Sequence, residues 1–408
     1  MRRRSVSHAA AHLPPAVVVG CDLAGLGVIR ALADAAVPVI ATYSSAFEPG
    51  RLSRHVSRAI RSPAPADEER FVAFLADLGE RYQGAVLVPV SDEAVTAIAR
   101  HAAALSTDFL VACMTWPVVE RFIDKRRTYE LANRIGVPAP RTAVPRDTTE
   151  VERCGDELGY PCLLKPSHGH LYRSRFGRKL VKAEGPDELL AAWREADAAG
   201  LGAMVQEFVP GSDSHGANYN SYFIDGEPAA ACTAQKVRLQ PPEIGYPRVV
   251  RSRYLPEVAA LGRRLLEAMG VHGFTCTEFK LDPRDGSYKL MEVNGRHNNS
   301  TLLSVASGIN FPYLMYRHLV TGEPPAESRW RSGIYWIDPL SDLTQSVRYL
   351  GREGLAPADY LRPYLRPHVF ATVASGDFAP LTLQLGSKVR GLSSRLRDHT
   401  RPGSSSSE

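Results

Sequence analysis

The segment LMEVNGRHNN, residues 290–299, carries Glu292, Asn294 and Arg296 at alternating positions after an apolar run. Alternate residues of a β-strand point to the same face of a sheet, so these three side chains would emerge together. A carboxylate and an amide are ligands for hard metal ions, and a guanidinium binds carboxylates and phosphates. The spacing therefore predicts two kinds of metal ligand and a cation on one face of a strand.

A second carboxylate comes from the strand that precedes this segment. The sequence PRDG is a strong turn signal, and a three-residue loop Arg284-Asp285-Gly286 would give Gly286 the left-handed conformation. Pairing around that loop sets Glu278 opposite Glu292, at about 4.5–5.5 Å between Cβ atoms. Two like charges so close need a cation, and oxygen ligands without imidazole or thiolate select magnesium or manganese. The alternative is a solvated strand face that carries both glutamates by chance.

Lysine is scarce in this chain, since only 8 of its 49 basic residues are lysine. Arginine cannot replace a lysine that acts as a compact charge on a phosphate. Lys165 ends the apolar strand CLLKP, where an unpaired ammonium is costly to bury. Lys125 follows Asp124 on a helix, where a surface salt bridge is the alternative. A hard divalent cation together with such lysines points to nucleotide phosphates.

Composition narrows the class of protein. The 408 residues are 44% hydrophobic and 23% charged, which fits two or three globular domains. The net charge of +5 comes without a basic stripe interleaved with aromatic residues, so we expect no nucleic-acid partner. The six cysteines are scattered and form no CxxC, which favours reduced thiols in a cytoplasmic protein. We expect neither a secretory signal nor a membrane span, and we expect the tail RPGSSSSE to be disordered.

The N-terminal elements form a βαβ unit, with strands at 17–19 and 37–42 around a glycine turn and a helix. Gly20, Gly25 and Gly27 only loosely fit a dinucleotide fingerprint, and close helix–strand packing also explains them. A NAD site wants an acid after the second strand, where this chain has TYSS at 42–45. We therefore expect no NAD binding.

The elements further along the chain change in character at about residue 116. Before it, Ser91 is a plausible N-cap, and Asp92 and Glu93 fall in a first helical turn that favours carboxylates, with substrate contact as the alternative. After it, one helix over 116–135 ended by Gly136 leads into strands and helices without strict alternation, including two antiparallel strands joined at 225–226. The fold class predicted is an α/β N-terminal βαβ domain, then an α+β fold, then a small mixed C-terminal extension.

Taken together, the order of these stretches resembles the ATP-grasp superfamily, from Gly20 to about Gly322. The stretches are Lys125, LLKP with Lys165, QEFVPG, EFK with Glu278, and EVNGR. The resemblance implies an N-terminal pre-ATP-grasp domain at 1–115, ATP-grasp subdomains at 116–200 and 201–329, and an extension at 330–408.

The resemblance also implies roles for particular residues. Lys125 and Lys165 would bind the phosphates of ATP, with Lys165 also near the adenine. The hinge Gln206, Glu207, Phe208 and Val209 would recognise the adenine edge, with an edge strand plus turn as the alternative, and Asp213 would contact the ribose. Glu278, Glu292 and Asn294 would be the ligands of Mg²⁺ or Mn²⁺. Arg296 would hold the reacting carboxylate or acyl phosphate, with a surface arginine as the alternative.

Two further stretches are similar to a carboligase subgroup that includes peptidoglycan D-aspartate ligases. They imply a basic loop ending at Lys179 and a K-x-R-x-x-P-P segment that places Lys236 and Arg238 in the site. Related sequences usually follow the prolines with a glycine pair, whereas this chain has Glu243-Ile244-Gly245, so the pocket wall and the substrate differ.

The function implied is an ATP-dependent ligase that joins a carboxylate to an amine, both small molecules such as amino acids or peptides, through an acyl phosphate. A carboxylase or a carbamoyl-phosphate-type enzyme is the alternative reaction, and a non-catalytic nucleotide-binding regulator is the alternative class. The sequence carries no biotinyl-lysine motif and no glutaminase module, which favours a free amine. A homodimer stays open as the assembly.

Overall fold

A computed structural model describes residues 13–166, 172, 175–326, 328–352 and 354–386. In this part of the chain three β-sheets are present, with five, four and seven strands. Most of the predicted basic loop before Lys179, namely residues 167–171 and 173–174, lies outside the described residues. Strands and helices are numbered in chain order.

The first sheet is parallel, with strand order β3-β2-β1-β4-β5. Its central strands are short apolar runs that are buried throughout, because helices cover a parallel sheet on both faces. This confirms the predicted α/β character. The elements are β1 (Ala16–Val19), α1 (Leu23–Ala33), β2 (Val39–Tyr43), β3 (Val56–Arg61), α2 (Glu68–Arg81), β4 (Ala85–Pro89), α3 (Asp92–Arg100), α4 (Ala102–Leu105) and β5 (Phe109–Val111).

The helical connection to the second half is broken at Asp124, so the single helix predicted over 116–135 is wrong. The structure has α5 (Trp116–Ile123) and α6 (Lys125–Arg134) instead. Asp124 leaves the helical conformation, and its carboxylate accepts a hydrogen bond from the backbone N–H of Arg126 at 3.1 Å. A capping aspartate competes with helix continuation in this way. The break makes Lys125 the first residue of α6.

The second sheet is small and antiparallel, with strand order β6-β9-β7-β8. Two helices pack against it, and among the described residues the apolar cluster beneath them draws on residues 143–205 alone. The elements are β6 (Thr142–Ala143), α7 (Thr148–Leu158), β7 (Cys162–Pro166), β8 (Val181–Ala183), α8 (Pro186–Ala198) and β9 (Ala203–Glu207).

The third sheet is the largest, with strand order β14-β13-β10-β11-β12-β15-β16. The predicted turn at 225–226 joins β10 to β11, and Asp225 and Gly226 both have positive φ there. The elements are β10 (Gly216–Ile224), β11 (Glu227–Gln240), β12 (Tyr246–Ser252), α9 (Pro256–Met269), β13 (Gly273–Leu281), β14 (Tyr288–Asn294), α10 (Thr301–Ser307), α11 (Phe311–Thr321), β15 (Tyr335–Ile337), α12 (Pro339–Val347), α13 (Pro357–Leu365) and β16 (His368–Phe370).

The C-terminal extension contacts both the large sheet and the helix α1. Its strands β15 and β16 continue the large sheet beyond β12. Asp377 forms a buried ion pair with Arg30 of α1, with Nε and Oδ2 3.0 Å apart. The α+β character predicted for the second half is confirmed, while the predicted domain limits stay a prediction. No helix among the described residues is both long and apolar enough to span a bilayer.

Candidate active site

The β13–β14 hairpin sets Glu278 directly opposite Glu292. Asn294, two residues further along β14, stands opposite Cys276 on the same face. The sequence predicts this register, and the structure contains it. Two carboxylates and an amide therefore share one face of the sheet.

The loop of the hairpin differs from the predicted three-residue loop. The N–H of Asp282 donates to the carbonyl of Ser287 at 2.8 Å, which closes a four-residue loop. Gly286 has the expected left-handed conformation, with a φ of +73°. One extra residue, Met291, then bulges from β14 and shifts the pairing back by one. The two deviations cancel, so the predicted loop length is wrong while the predicted carboxylate pairing is right.

Each of the two opposed carboxylates contacts a lysine. Lys125 Nζ lies 2.7 Å from Glu292 Oε1, and Lys236 Nζ donates to Glu278 Oε2. Burial would raise the pKa of the Glu292 carboxyl, but Lys125 and Lys179 outweigh burial and hold that pKa well below its usual range. The salt bridge of Lys125 is therefore an internal contact of the site and not the surface pair considered from the sequence.

Lys236 reaches Glu278 from the other side of β10, across a glycine. Gly216 pairs with β13, and the stem of Lys236 lies over it. A Cβ at residue 216 would come within 2.7 Å of Lys236 Cδ, which is closer than real carbon contacts allow. The glycine therefore opens the path that lets a lysine of β11 meet a carboxylate of β13.

Arg296 is held by a carboxylate of α3. Its Nε and Nη2 lie 2.6 and 3.0 Å from the two carboxylate oxygens of Asp92, and Nη2 lies 3.3 Å from Asn294 Oδ1. Ser91 caps α3 as predicted, accepting from Ala94 N at 3.1 Å. Asp92 therefore does more than favour the helix dipole, because its carboxylate orients the Arg296 guanidinium through a two-point contact. His297 O, at 3.5 Å, is the contact of the third nitrogen, Nη1.

Lys165 lies near the same face from the small sheet. It is 8% exposed, and its Nζ is 3.4 Å from the hydroxyl of Tyr129 on α6. That hydroxyl donates to the carbonyl of Met291 at 2.7 Å, which links α6 to β14. Among the described residues no carboxylate lies within ion-pair distance of Lys165, so its charge is available to an anion.

The predicted hinge, Gln206 to Val209, spans the end of β9 and the two residues after it. Glu207 is buried, and its carboxylate accepts from Arg141 N at 3.0 Å and Arg141 Nε at 3.1 Å, with Lys289 Nζ at 3.4 Å. This side chain therefore joins the small sheet to the large one. A base would have to be recognised by the backbone of the hinge, as the resemblance implies.

Two residues predicted to contact substrate or nucleotide, Arg238 on β11 and Asp213 before β10, have partners within the protein. Arg238, predicted to be catalytic, is 2% exposed, and its Nε and Nη2 each lie 2.7 Å from the carboxylate of Asp342. Register shifts on both sides of Arg238 turn it away from the face that carries Lys236. Asp213, predicted to contact a ribose, instead accepts backbone N–H groups of Leu239 and Glu243 at 2.8 and 2.7 Å. The contacts predicted for Arg238 and Asp213 with substrate and ribose stay predictions.

Lys179 lies at the rim of the cleft. It is exposed, and its Nζ lies 4.7 Å from the centre of the Tyr246 ring. Its charge still acts on the carboxyl of Glu292, so it stands at the rim of the same cleft. A phosphate contact by Lys179 stays a prediction.

The donor set fits a hard divalent cation. Asn218 pairs with Glu278 on β10, is 3% exposed, and has a buried Oδ1 without a hydrogen-bond partner among the described residues. Burial raises the pKa of the neighbouring Cys276 thiol to about 12, so no thiolate competes. The described part has no cluster of three or more His, Cys, Asp or Glu that could hold a metal, so amide oxygens would have to complete the site. Oxygen ligands alone select magnesium or manganese.

Some candidate residues are missed by reasoning from the sequence. The partnership of Asp92 with Arg296 spans 204 residues, so no local pattern reveals it. The alternation in NYNSY could have drawn attention to Asn218, and the scarcity of lysine could have drawn attention to Lys280, which points from the same face of β13 as Glu278.

The Glu48 carboxylate lies beside the residues that follow β1 and β2 of the N-terminal sheet. Its carboxylate accepts the backbone N–H groups of Cys21, Ser44 and Ser45 at 2.6, 2.9 and 2.7 Å. A Cβ at Gly25 would lie 2.1 Å from the carbonyl oxygen of Gly20, so close helix–strand packing accounts for that glycine.

We expect no NADH binding at this sheet, because Glu48 ties together the backbone that a dinucleotide would approach. The measurement is a titration of NADH followed by energy transfer from Trp and Tyr to the nicotinamide. ADP is added at the end as a control for binding in the other cleft. Saturable NADH binding that ADP does not displace would contradict the prediction.

The chain is similar to known ligases in sequence and in fold. No family model matches the chain. A D-aspartate ligase of Enterococcus faecium is 27% identical over 331 residues, covering 77% of this chain and 78% of that protein. A D-alanine–D-alanine ligase of Ectopseudomonas mendocina is 25% identical over 212 residues, covering 47% of this chain and 63% of that protein. The crystal structure of an L-amino acid ligase from Bacillus licheniformis superposes with a TM-score of 0.60 at 18% identity, covering 75% of this chain and 74% of that one.

The fold is that of the ATP-grasp enzymes, and the chain is similar in sequence to ATP-dependent ligases of that superfamily. Enzymes of this superfamily use ATP with Mg²⁺. The chain is a carboxylate–amine ligase, an enzyme that forms a C–N bond.

Proposed function

We propose that this enzyme joins the carboxyl group of one amino acid or peptide to the amine of another at the expense of ATP, by way of an acyl phosphate. The observation that carries the proposal is the convergence of Glu278, Glu292, Lys125, Lys236 and Arg296 on one face of the large sheet. Such a set balances the charges of a triphosphate, a divalent cation and a carboxylate.

Each candidate residue has a separate task in this proposal. Glu278, Glu292 and Asn294 would hold Mg²⁺, with Asn218 at hand to add an oxygen. Bound there, the ion would neutralise charge on the phosphate oxygens during transfer. Lys125 and Lys165 would bind phosphate oxygens of ATP.

The reaction needs little covalent work from the protein. A carboxylate oxygen of the first substrate attacks the γ-phosphorus, and the bond to the leaving ADP oxygen breaks. Lys236, which contacts Glu278 in the structure, would lie beside the acyl phosphate that results, and Arg296 would hold the acyl group of this intermediate. The amine then attacks the acyl carbon, the bond to phosphate breaks, and the amine loses a proton. The protein positions these groups and supplies fixed charges.

Amino-acid substrates suit the contact between Arg296 and Asp92. A guanidinium held at two points presents a fixed edge to a carboxylate, and an aspartate beside it provides a counter-charge for an ammonium group. The relatives named for amino-acid ligation support the same substrate class. No observation favours a carboxylase or a regulator.

The test is formation of ADP and phosphate from ATP and Mg²⁺ with pairs of D- and L-amino acids, with mass spectra of the products. Hydroxylamine replaces the amine in a second series, because it converts an acyl phosphate into a stable hydroxamate. We expect a hydroxamate from one acid alone and an amide from the pair. ADP formation that needs only bicarbonate would contradict the proposal, as would ATP binding without turnover for every pair.

We expect Lys165→Ala to weaken ATP binding more than it changes the choice of amine, because its ammonium has no carboxylate partner in the described structure and faces the cleft. Calorimetry with ATP compares the variant with the wild type, and Arg263→Ala on the outer face of α9 is the control. Unchanged ATP affinity would remove Lys165 from the site.

A further inference from the structure

Lys280 is a buried cation with no carboxylate at ion-pair distance in the described part of the chain. It follows Glu278 by two residues on β13, points from the same face, and is 6% exposed. No hydrogen bond of its ammonium is present among the described residues. Its contact is the ring of Phe208, whose centre lies 5.1 Å from Nζ. Burying an ammonium without a partner costs free energy, and a cation–π contact offsets only part of that cost.

The neighbouring lysines differ from Lys280 in this respect. Lys289 stands directly opposite it on β14 and contacts three carboxylates, including Asp282 at 2.8 Å. Lys236 is paired with Glu278, and Lys182 has two glutamates within 3.4 Å. These three lysines therefore have carboxylate partners, whereas Lys280 has none among the described residues.

The position of Lys280 defines which anion could meet it. Glu278 is one same-face step away along the strand, which is about 6.6–6.8 Å. On its other side lies Phe208 of the hinge. A nucleotide with its base at the hinge and its outer phosphates at Glu278 and Glu292 must pass Lys280 with the phosphate next to the ribose.

We propose that Lys280 is an additional nucleotide ligand that binds the α-phosphate. This inference rests on the proposed function, since it takes the orientation of ATP from it. Asp213 is committed to backbone N–H groups. Lys280 lies between the hinge and the metal ligands and has no carboxylate partner among the described residues, so its charge can act on the nucleotide. Lys125, by contrast, contacts Glu292 at the metal-ligand end of this path.

The test measures adenosine, AMP and ADP separately on Lys280→Met, each by displacement of a fluorescent ATP analogue. Methionine keeps the unbranched stem against Phe208 while removing the charge. We expect AMP and ADP to bind more weakly by on the order of tenfold to a hundredfold, the loss for a charge-assisted hydrogen bond, with adenosine within about twofold. Lys280→Arg should restore part of the loss, and Lys289→Met is the matched control that should not separate AMP from adenosine.

Two results would overturn the inference. Equal losses for adenosine, AMP and ADP would show that Lys280 supports the hinge or the base and not a phosphate. Unchanged AMP and ADP affinities would show that it binds no nucleotide phosphate. Wild-type protein that binds no ADP would instead contradict the proposed function, so the two failures are distinguishable.

Discussion

Replacing Glu292 by glutamine should reduce ADP formation to a small residual rate or abolish it, while leaving the protein folded. The substitution keeps the size of the side chain but removes the negative charge that faces Glu278 and Lys125. A neutral amide binds a hard cation less well than a carboxylate, and it frees Lys125 from its partner. We expect the rate to fall by a factor on the order of 10² to 10³ or more, because enzymes that lose one charge-stabilising group slow by about this much.

The measurement is ADP release with ATP, Mg²⁺ and the best substrate pair, with circular dichroism to check folding. Glu267→Gln is the matched control, because Glu267 makes a surface pair with Arg263 on α9. Glu278→Gln should act in the same direction with a smaller effect. Near wild-type ADP release by Glu292→Gln would remove Glu292 from the metal site.

The second large effect is expected for Arg296→Lys, with a fall in rate on the order of 10²-fold or more and little change in ATP affinity. Lysine keeps the charge but cannot make the two-point contact with Asp92 or present a flat edge to a substrate carboxylate. The reacting acid would therefore lose its alignment, while the phosphates would keep their lysines.

Two titrations on Arg296→Lys decide this point, one with ATP and one with the acid at saturating ATP. Arg263→Lys on the outer face of α9 is the matched control. Weakened ATP binding with normal affinity for the acid would place Arg296 on the nucleotide and contradict the assignment.

Local sequence was enough to find the face that carries the carboxylates. Strand alternation and the PRDG turn lie within one hairpin, so the pairing of Glu278 with Glu292 could be inferred from neighbouring residues. The bulge at Met291 could not, because a bulge depends on how the whole strand fits its partner. The prediction was right only because the extra loop residue and the bulge offset each other.

Long-range partners could not be inferred in the same way. Arg238 alternates with Lys236 along the sequence, yet it is taken by Asp342, 104 residues later, where β11 deviates from regular pairing. Asp213 is likewise committed to backbone groups of a distant segment. A residue type and a motif predict what a side chain can bind, but the competing partners that the fold supplies decide whether it is free to do so.

The separate core of the small sheet has a consequence for how the enzyme deforms. In the described part of the chain its apolar cluster draws on residues 143–205 alone, whereas the N-terminal sheet and the large sheet share one cluster that includes Val18, Val88 and Phe274. Moving the small sheet away from the large one would hydrate mainly charged contacts, such as Lys182 with Glu243, and would expose little apolar surface. Separating the other two sheets would split a hydrophobic core. The boundary between the small sheet and the large sheet is thus the part of the molecule that deforms most easily. It lies beside the cleft, and we expect substrates to enter and products to leave when it opens.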